Sequence, residues 1–186
     1  MPGPADRCIA SALRRSGLGA EALAVKAVHD VRAYDAVILG GAAYLSHWHE
    51  DAADFARSYR VALRERPVWL FSSGPLGMDP ADEDGADVLQ TCRPEEFREL
   101  SALVHARGTK VFFGAHDGDR PVTVGERLFS LLPAARAGPP SGDVRDWPAI
   151  DTWAEEIAAA LTCEHTGLQS LEARGGAPRH APRLDA

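Results

Sequence analysis

Cysteine is scarce in this sequence, with only Cys8, Cys92 and Cys163, far apart and odd in number. No C-x-x-C pair and no Cys/His cluster of zinc-finger spacing occurs, so a zinc-built fold is excluded. A disulfide framework is not expected either, which favours a reducing compartment. Positive charge is also short: 20 Lys and Arg stand against 27 Asp and Glu, a formal net charge of −7. A general nucleic-acid binder needs a basic surface against phosphates, and that class drops out. No stretch approaches the roughly 18 apolar residues of a membrane-spanning helix. The N-terminus has no basic start followed by an apolar run, as a signal peptide would. These absences together lead to the expectation of a cytoplasmic protein. Missing too are G-x-S-x-G, the Walker lysine motif and H-E-x-x-H. His47 and His49 would diverge by roughly 200° on a helix, so no metal pair is expected.

What is present is a rhythm. The 186 residues are 45% hydrophobic and 25% charged, which suits one domain with a real core. Short continuous apolar runs end in glycine or serine: Asp35-Ala36-Val37-Ile38-Leu39-Gly40-Gly41, Pro67-Val68-Trp69-Leu70-Phe71-Ser72-Ser73-Gly74, and Thr109-Lys110-Val111-Phe112-Phe113-Gly114. Runs that are apolar throughout, rather than alternating, fit parallel strands covered on both faces. Residues 23–28 read as a weaker strand. Between the runs lie helical patterns. Trp48, Ala52, Phe55, Tyr59 and Leu63 share one face, and Phe97, Leu100 and Val104 another after Pro94. Asp146 can cap a helix carrying Trp147, Ile150, Ala154, Ile157 and Leu161. A short helix is expected over 126–132 and a loop over 138–142. Gly17-x-Gly19 follows a helix instead of a strand, so it fails the context of a dinucleotide fingerprint. Residues 1–161 thus form one α/β domain, and 162–186, rich in Gly, Pro, Ala and Arg, read as a disordered tail.

In an open α/β sheet, ligands bind beyond the carboxyl ends of the strands. Two loops qualify. In the first, Gly41, Ala42 and Ala43 let a flat ligand approach the backbone, while Tyr44 and Trp48 offer an aromatic face. The competing reading makes Trp48 the start of a helix's core face. In the second, Ser72, Ser73, Gly74, Pro75 and Leu76 offer amides and hydroxyls to a polar ring edge. Turn chemistry alone also explains glycines after a strand. His116-Asp117 lies just past a strand end, where a solvated loop histidine is the ordinary reading.

On the segments 34–44, 66–77, 111–115 and 142–147, in that order, the chain resembles flavodoxin-domain proteins. Within them it looks most like the branch related to menaquinone-dependent protoporphyrinogen oxidase. The resemblance implies a flavodoxin-like, doubly wound parallel sheet of order 2-1-3-4-5 that binds FMN at the strand ends. It places the loop with Ala42, Ala43, Tyr44 and Trp48 beside the flavin ring and the loop with Ser72, Ser73, Gly74, Pro75 and Leu76 at its polar edge, with Gly41 and Gly114 also among the expected cofactor-binding residues. The implied chemistry is flavin-mediated electron transfer, with a quinone or porphyrinogen as redox partner. Family members open with a strand and a phosphate-cradling loop. Here only Met1-Pro2-Gly3-Pro4 precede the first helical pattern, and four residues including two prolines do not make a central strand. The chain is therefore expected to be N-terminally truncated, lacking that first strand and phosphate loop.

Two functions follow. One is an FMN-dependent oxidoreductase or electron-transfer flavoprotein in which the flavin carries the redox chemistry, so no catalytic side chain is assigned. The other is a cofactor-free flavodoxin-like interaction module or truncated remnant. A free sheet edge would invite self-association, which puts a homo-oligomer among the expected states.

Overall fold

The computed structural model describes residues 1–44, 46–74, 81, 85–116, 142–143 and 145–175; for residues 44, 115–116, 142–143 and 164–175 this extends to the backbone alone. The three apolar runs are strands. β1 (Val37–Tyr44), β2 (His47–Trp48), β3 (Val68–Ser73) and β4 (Gly108–Phe112) form one sheet in the order β2-β1-β3-β4. β1, β3 and β4 run parallel, and β2 folds back antiparallel on the end of β1. β5 (Ala115–His116) and β6 (Gly142–Asp143) make a separate antiparallel pair. The helices are α1 (Pro4–Arg15), α2 (Glu50–Ser58), α3 (Arg60–Arg64), α4 (Val88–Thr91), α5 (Glu96–Val104) and α6 (Trp147–Gly175). This is the flavodoxin-like α/β architecture that the sequence led us to expect.

Strand alternation divides the core in two. Leu39, Val68, Leu70 and Val111 face α2, α3 and α5, where Phe55, Leu63, Phe97, Leu100 and Val104 are buried. Trp69, Phe71 and Phe112 face α1 and α6, against Ile9, Leu13, Ile150, Trp153 and Ile157. Because β3 lies between two strands and two helical layers, Val68 to Phe71 are all buried. Burial of each such large side chain is worth about 1.5–3 kcal/mol, which explains why its sequence is apolar without alternation.

Local chemistry sets the helix ends. Pro4 opens α1, where its missing N–H costs nothing, and the chain leaves the helix through Gly17 at φ +85°. Asp146 caps α6 as expected, its carboxylate accepting from the Ala149 N–H at 3.0 Å. α5 ends at His105 in the left-handed region, φ 54°, three residues before the expected glycine.

Three expectations are revised. Residues 23–28 do not form a strand; a short 3-10 turn, Val25–Ala27, stands there, followed by another at Val31–Ala33. A second strand in a 2-1-3-4-5 sheet pairs only with the first, and among the described residues no such partner lies beside it. β propensity without a neighbour does not hold a strand. Val25, Val28 and Val31 still pack on the α2–α3 face. Trp48 belongs to β2 instead of a helix, which starts two residues later at Glu50. Finally, α6 continues past Leu161 to Gly175, where the expected tail begins at Thr162. Gly167 alone costs a helix only about 1 kcal/mol, so it does not interrupt α6. The expected helix over 126–132 and residues 138–141 of the expected loop lie outside the described residues. Among the described residues, no helix is long and apolar enough to cross a membrane.

Candidate functional site

The carboxyl ends of β1, β3 and β4 converge, and backbone chemistry brings them together. The Gly74 N–H donates to the Phe112 carbonyl at 3.0 Å, tying the exit of β3 to that of β4. A Cβ on Gly74 would lie 3.7 Å from that of Ala43, and one on Gly114 only 3.0 Å from the Gly74 carbonyl oxygen. Gly114 is therefore glycine because two backbones touch there. Ala42, Ala43, Ser73 and Gly74 form a rim of small, half-buried residues. The structure thus brings together Gly41, Ala42, Ala43, Ser72, Ser73, Gly74 and Gly114; of Tyr44 it places only the backbone, at the end of β1. Pro75, Leu76 and Asp117 lie outside the described residues, and His116 is placed by its backbone in β5.

The glycines of the first loop serve a different purpose from the one read in the sequence. Gly40 pairs in register with Phe71, and a Cβ there would sit 2.2 Å from the Phe71 ring. A Cβ on Gly41 would meet the Trp48 indole nitrogen at 2.8 Å. The space these glycines leave is filled by protein aromatics, one on each face of the sheet. Trp48 is 3% exposed, and its indole N–H donates to the Gly41 and Phe71 carbonyls, both at 3.2 Å. Its ring meets Phe97 edge-on at 5.1 Å. Of the two readings of Trp48, its burial agrees with the core one: the indole is enclosed by Gly41, Phe71 and Phe97.

Ser72 is the exception in that wall. It pairs with Gly41 across β1–β3, is 0% exposed, and its hydroxyl lacks a hydrogen-bond partner among the described residues. A buried hydroxyl without a partner costs about 1–3 kcal/mol, and the segment 75–80 that follows this strand end lies outside the described residues.

A feature the sequence reading missed fixes the β1–β2 hairpin. Glu96, in the first turn of α5, accepts from the Trp48 backbone N–H at 3.0 Å and holds His47 Nδ1 at 3.0 Å with its other oxygen. The Glu95 N–H donates to the carbonyl of Ser46 at 2.9 Å, and Ser46 sits at φ 63°. Partial burial alone would raise the Glu96 carboxyl; hydrogen bonds from the Trp48 and Glu96 amides and from His47 outweigh it and hold the group below the usual carboxylate value. The separation of 49 residues leaves no local signal for this contact. The only hint is a pair of acids after Pro94, which reads as ordinary helix-start chemistry.

A flavin makes two demands, a flat crevice with polar groups at the ring edge and donors for the phosphate. The small-residue rim of Ala42, Ala43, Ser73 and Gly74 suits the close approach of a flat ring. The second is not met at the N-terminus of α1. There the Asp6 carboxylate accepts the Gly3 N–H at 2.5 Å, and burial pushes that carboxyl above its usual value. The Gly3 amide is thus already taken by a carboxylate of the same helix turn.

No curated protein and no solved structure matches the chain. A family model described as a flavodoxin domain matches residues 7–125, which run from α1 through the converging ends of β1, β3 and β4. On that match and this architecture, the chain belongs to the flavodoxin domain family.

Proposed function

We propose that this protein binds a flavin by its ring at the carboxyl ends of β1, β3 and β4 and works in electron transfer, with FMN as the family's flavin. The observation that carries the reading is the rim of small residues Ala42, Ala43, Ser73 and Gly74 at the converging strand ends, above a Ser72 hydroxyl that has no partner among the described residues. Tyr44, Pro75 and Leu76 complete the proposed ring contacts. A quinone or porphyrinogen is the proposed redox partner, supported by the resemblance of the strand-end segments to the protoporphyrinogen oxidase branch. The flavin, when bound, supplies the redox chemistry. The residues of this chain bind it, orient it and shield it from water. Titration of the protein with FMN and with riboflavin, followed by flavin fluorescence quenching, tests the reading. Saturable quenching by both, within a few-fold in affinity, is expected, because Asp6 already takes the Gly3 amide at the start of α1. Quenching by neither overturns it.

A second reading, a cofactor-free interaction module, is favoured by the same Asp6 and by the Trp48 indole that fills the space over Gly41. The same titration separates the two.

A further inference from the structure

We propose that the outer side of β1 is an interaction surface for a second copy of this chain, which pairs with it antiparallel over residues 37–41. This surface does not depend on the flavin reading. Neither β1 nor β3 carries a charged residue, yet the two strands are covered differently. Val68 to Phe71 of β3 are all buried, between two strands and two helical layers. In β1, Leu39 is buried, whereas Val37, Ile38, Gly40 and Gly41 are only half-buried. An apolar run without alternation belongs to a strand enclosed within a sheet. β1 thus has the composition of an inner strand and, beside residues 37–41, an open edge among the described residues.

That open window has defined ends. β3 pairs along one side of β1, and on the other β2 covers only Ala43 and Tyr44. The His49 N–H takes the Ala42 carbonyl at 2.8 Å, which closes the window above Gly41. Below Val37 the chain bends at Asp35. Between these limits the backbone groups of Ile38 and Gly40 turn outward, because Val37 bonds inward to Pro67 and direction alternates along a strand.

The window complements itself. Ile38 packs with the cluster on the α1–α6 side, and a Cβ on Gly40 would point at Phe71 on that same side. An antiparallel copy about an axis at Leu39 sets Ile38 of each chain opposite Gly40 of the other. The bulky residue of one copy then lies beside the smallest residue of its partner. Each such pair exchanges N–H···O bonds in both directions, and Leu39 meets Leu39 between them. A two-fold contact uses the same surface on both copies, and a window without charge puts no like charges face to face.

Hydrogen exchange and mixed-label NMR on the wild-type chain test it. Raising the protein concentration about a hundredfold should slow exchange of the Ile38 and Gly40 amides about tenfold. The Leu39 amide, turned toward β3, should not change. In a mixture of labelled and unlabelled chains, an intermolecular NOE should join the Leu39 α protons of the two copies, the close contact of a non-hydrogen-bonded antiparallel pair. Fast exchange of both amides at every concentration overturns the proposal, since the edge then stays open to water. Slow exchange at every concentration without that NOE also overturns it, and assigns the edge to residues of the same chain. Concentration-dependent slowing without the NOE overturns the antiparallel pairing.

Discussion

Single residues decide what the strand ends can hold, and Gly40, Gly41 and Ser72 make separable predictions. Gly40→Ala would drive a methyl group into Phe71, which is locked between Phe112 and Trp153 at ring separations of 6.1 and 5.8 Å. Gly41→Ala would press on the Trp48 indole and lengthen its bonds to two carbonyls. Overpacking of this kind costs about 1–3 kcal/mol. We expect about 3 for Gly40→Ala and about 2 for Gly41→Ala, because Phe71 has a deeper clash and rigid neighbours while Trp48 sits on a two-residue strand. Chemical denaturation of the two variants side by side checks the order; equal losses would contradict it. Ser72→Ala works the other way. It removes a hydroxyl that has no partner among the described residues, so the unliganded protein should be unchanged or up to about 1 kcal/mol more stable. Flavin binding by that variant should weaken. A clear loss of stability without ligand would show that Ser72 has a partner within the protein.

At the scale of elements, the weak point is the β1–β2 hairpin, which hangs on α5 through Glu96 and the Glu95 amide. The carboxyl of Glu96 is lower in the folded protein than in the unfolded chain, so the unfolded state takes up the proton first. Its contribution is complete above the ordinary carboxylate pKa and is lost as pH falls through the lowered folded value. We expect the hairpin to loosen in acid before the sheet unfolds, seen as a shift of the Trp48 indole N–H resonance that is absent in Glu96→Gln. A shift of the same size in that variant would assign the effect to another carboxylate. The elements also show what was legible in the sequence. β1, β3 and β4 were readable because buried parallel strands need continuous apolar runs, and Asp146 because a cap is a local bond. Residues 23–28 misled because their apolar pattern reports burial against α2 and α3, not the presence of a strand beside them. Gly41 and Trp48 both stood out in the sequence, but their contact was invisible: small residues look the same whether a ligand or an indole fills the space. The brace from Glu96 joins two elements across the fold, and no spacing rule reaches that far.

For the whole molecule, the consequential feature is the outer side of β1. The Val37 N–H donates to the Pro67 carbonyl at 2.9 Å, so by alternation Val37, Leu39 and Gly41 turn their backbone groups toward β3. Ile38 and Gly40 turn theirs the other way. Along that side β2 pairs with Ala43 and Tyr44, and the His49 N–H takes the Ala42 carbonyl at 2.8 Å. Beside Ile38 and Gly40, which are only half-buried, no strand lies among the described residues. The opposite edge, β4, carries Lys110, the kind of charge that discourages strand addition, whereas β1 carries no charge over its length. A second copy approaching β1 to β1 can therefore extend the sheet, and the net charge of −7 on each copy opposes that approach. Attraction through backbone bonds and repulsion through net charge respond differently to salt, since only the second is screened. Sedimentation equilibrium should accordingly show a monomer–dimer equilibrium that shifts toward dimer between low and physiological salt. Ile38→Pro removes an outward N–H and leaves the ladder to β3 intact, so it should abolish the dimer while the far-ultraviolet circular dichroism stays as in the wild type. A dimer that survives Ile38→Pro would place self-association on another surface.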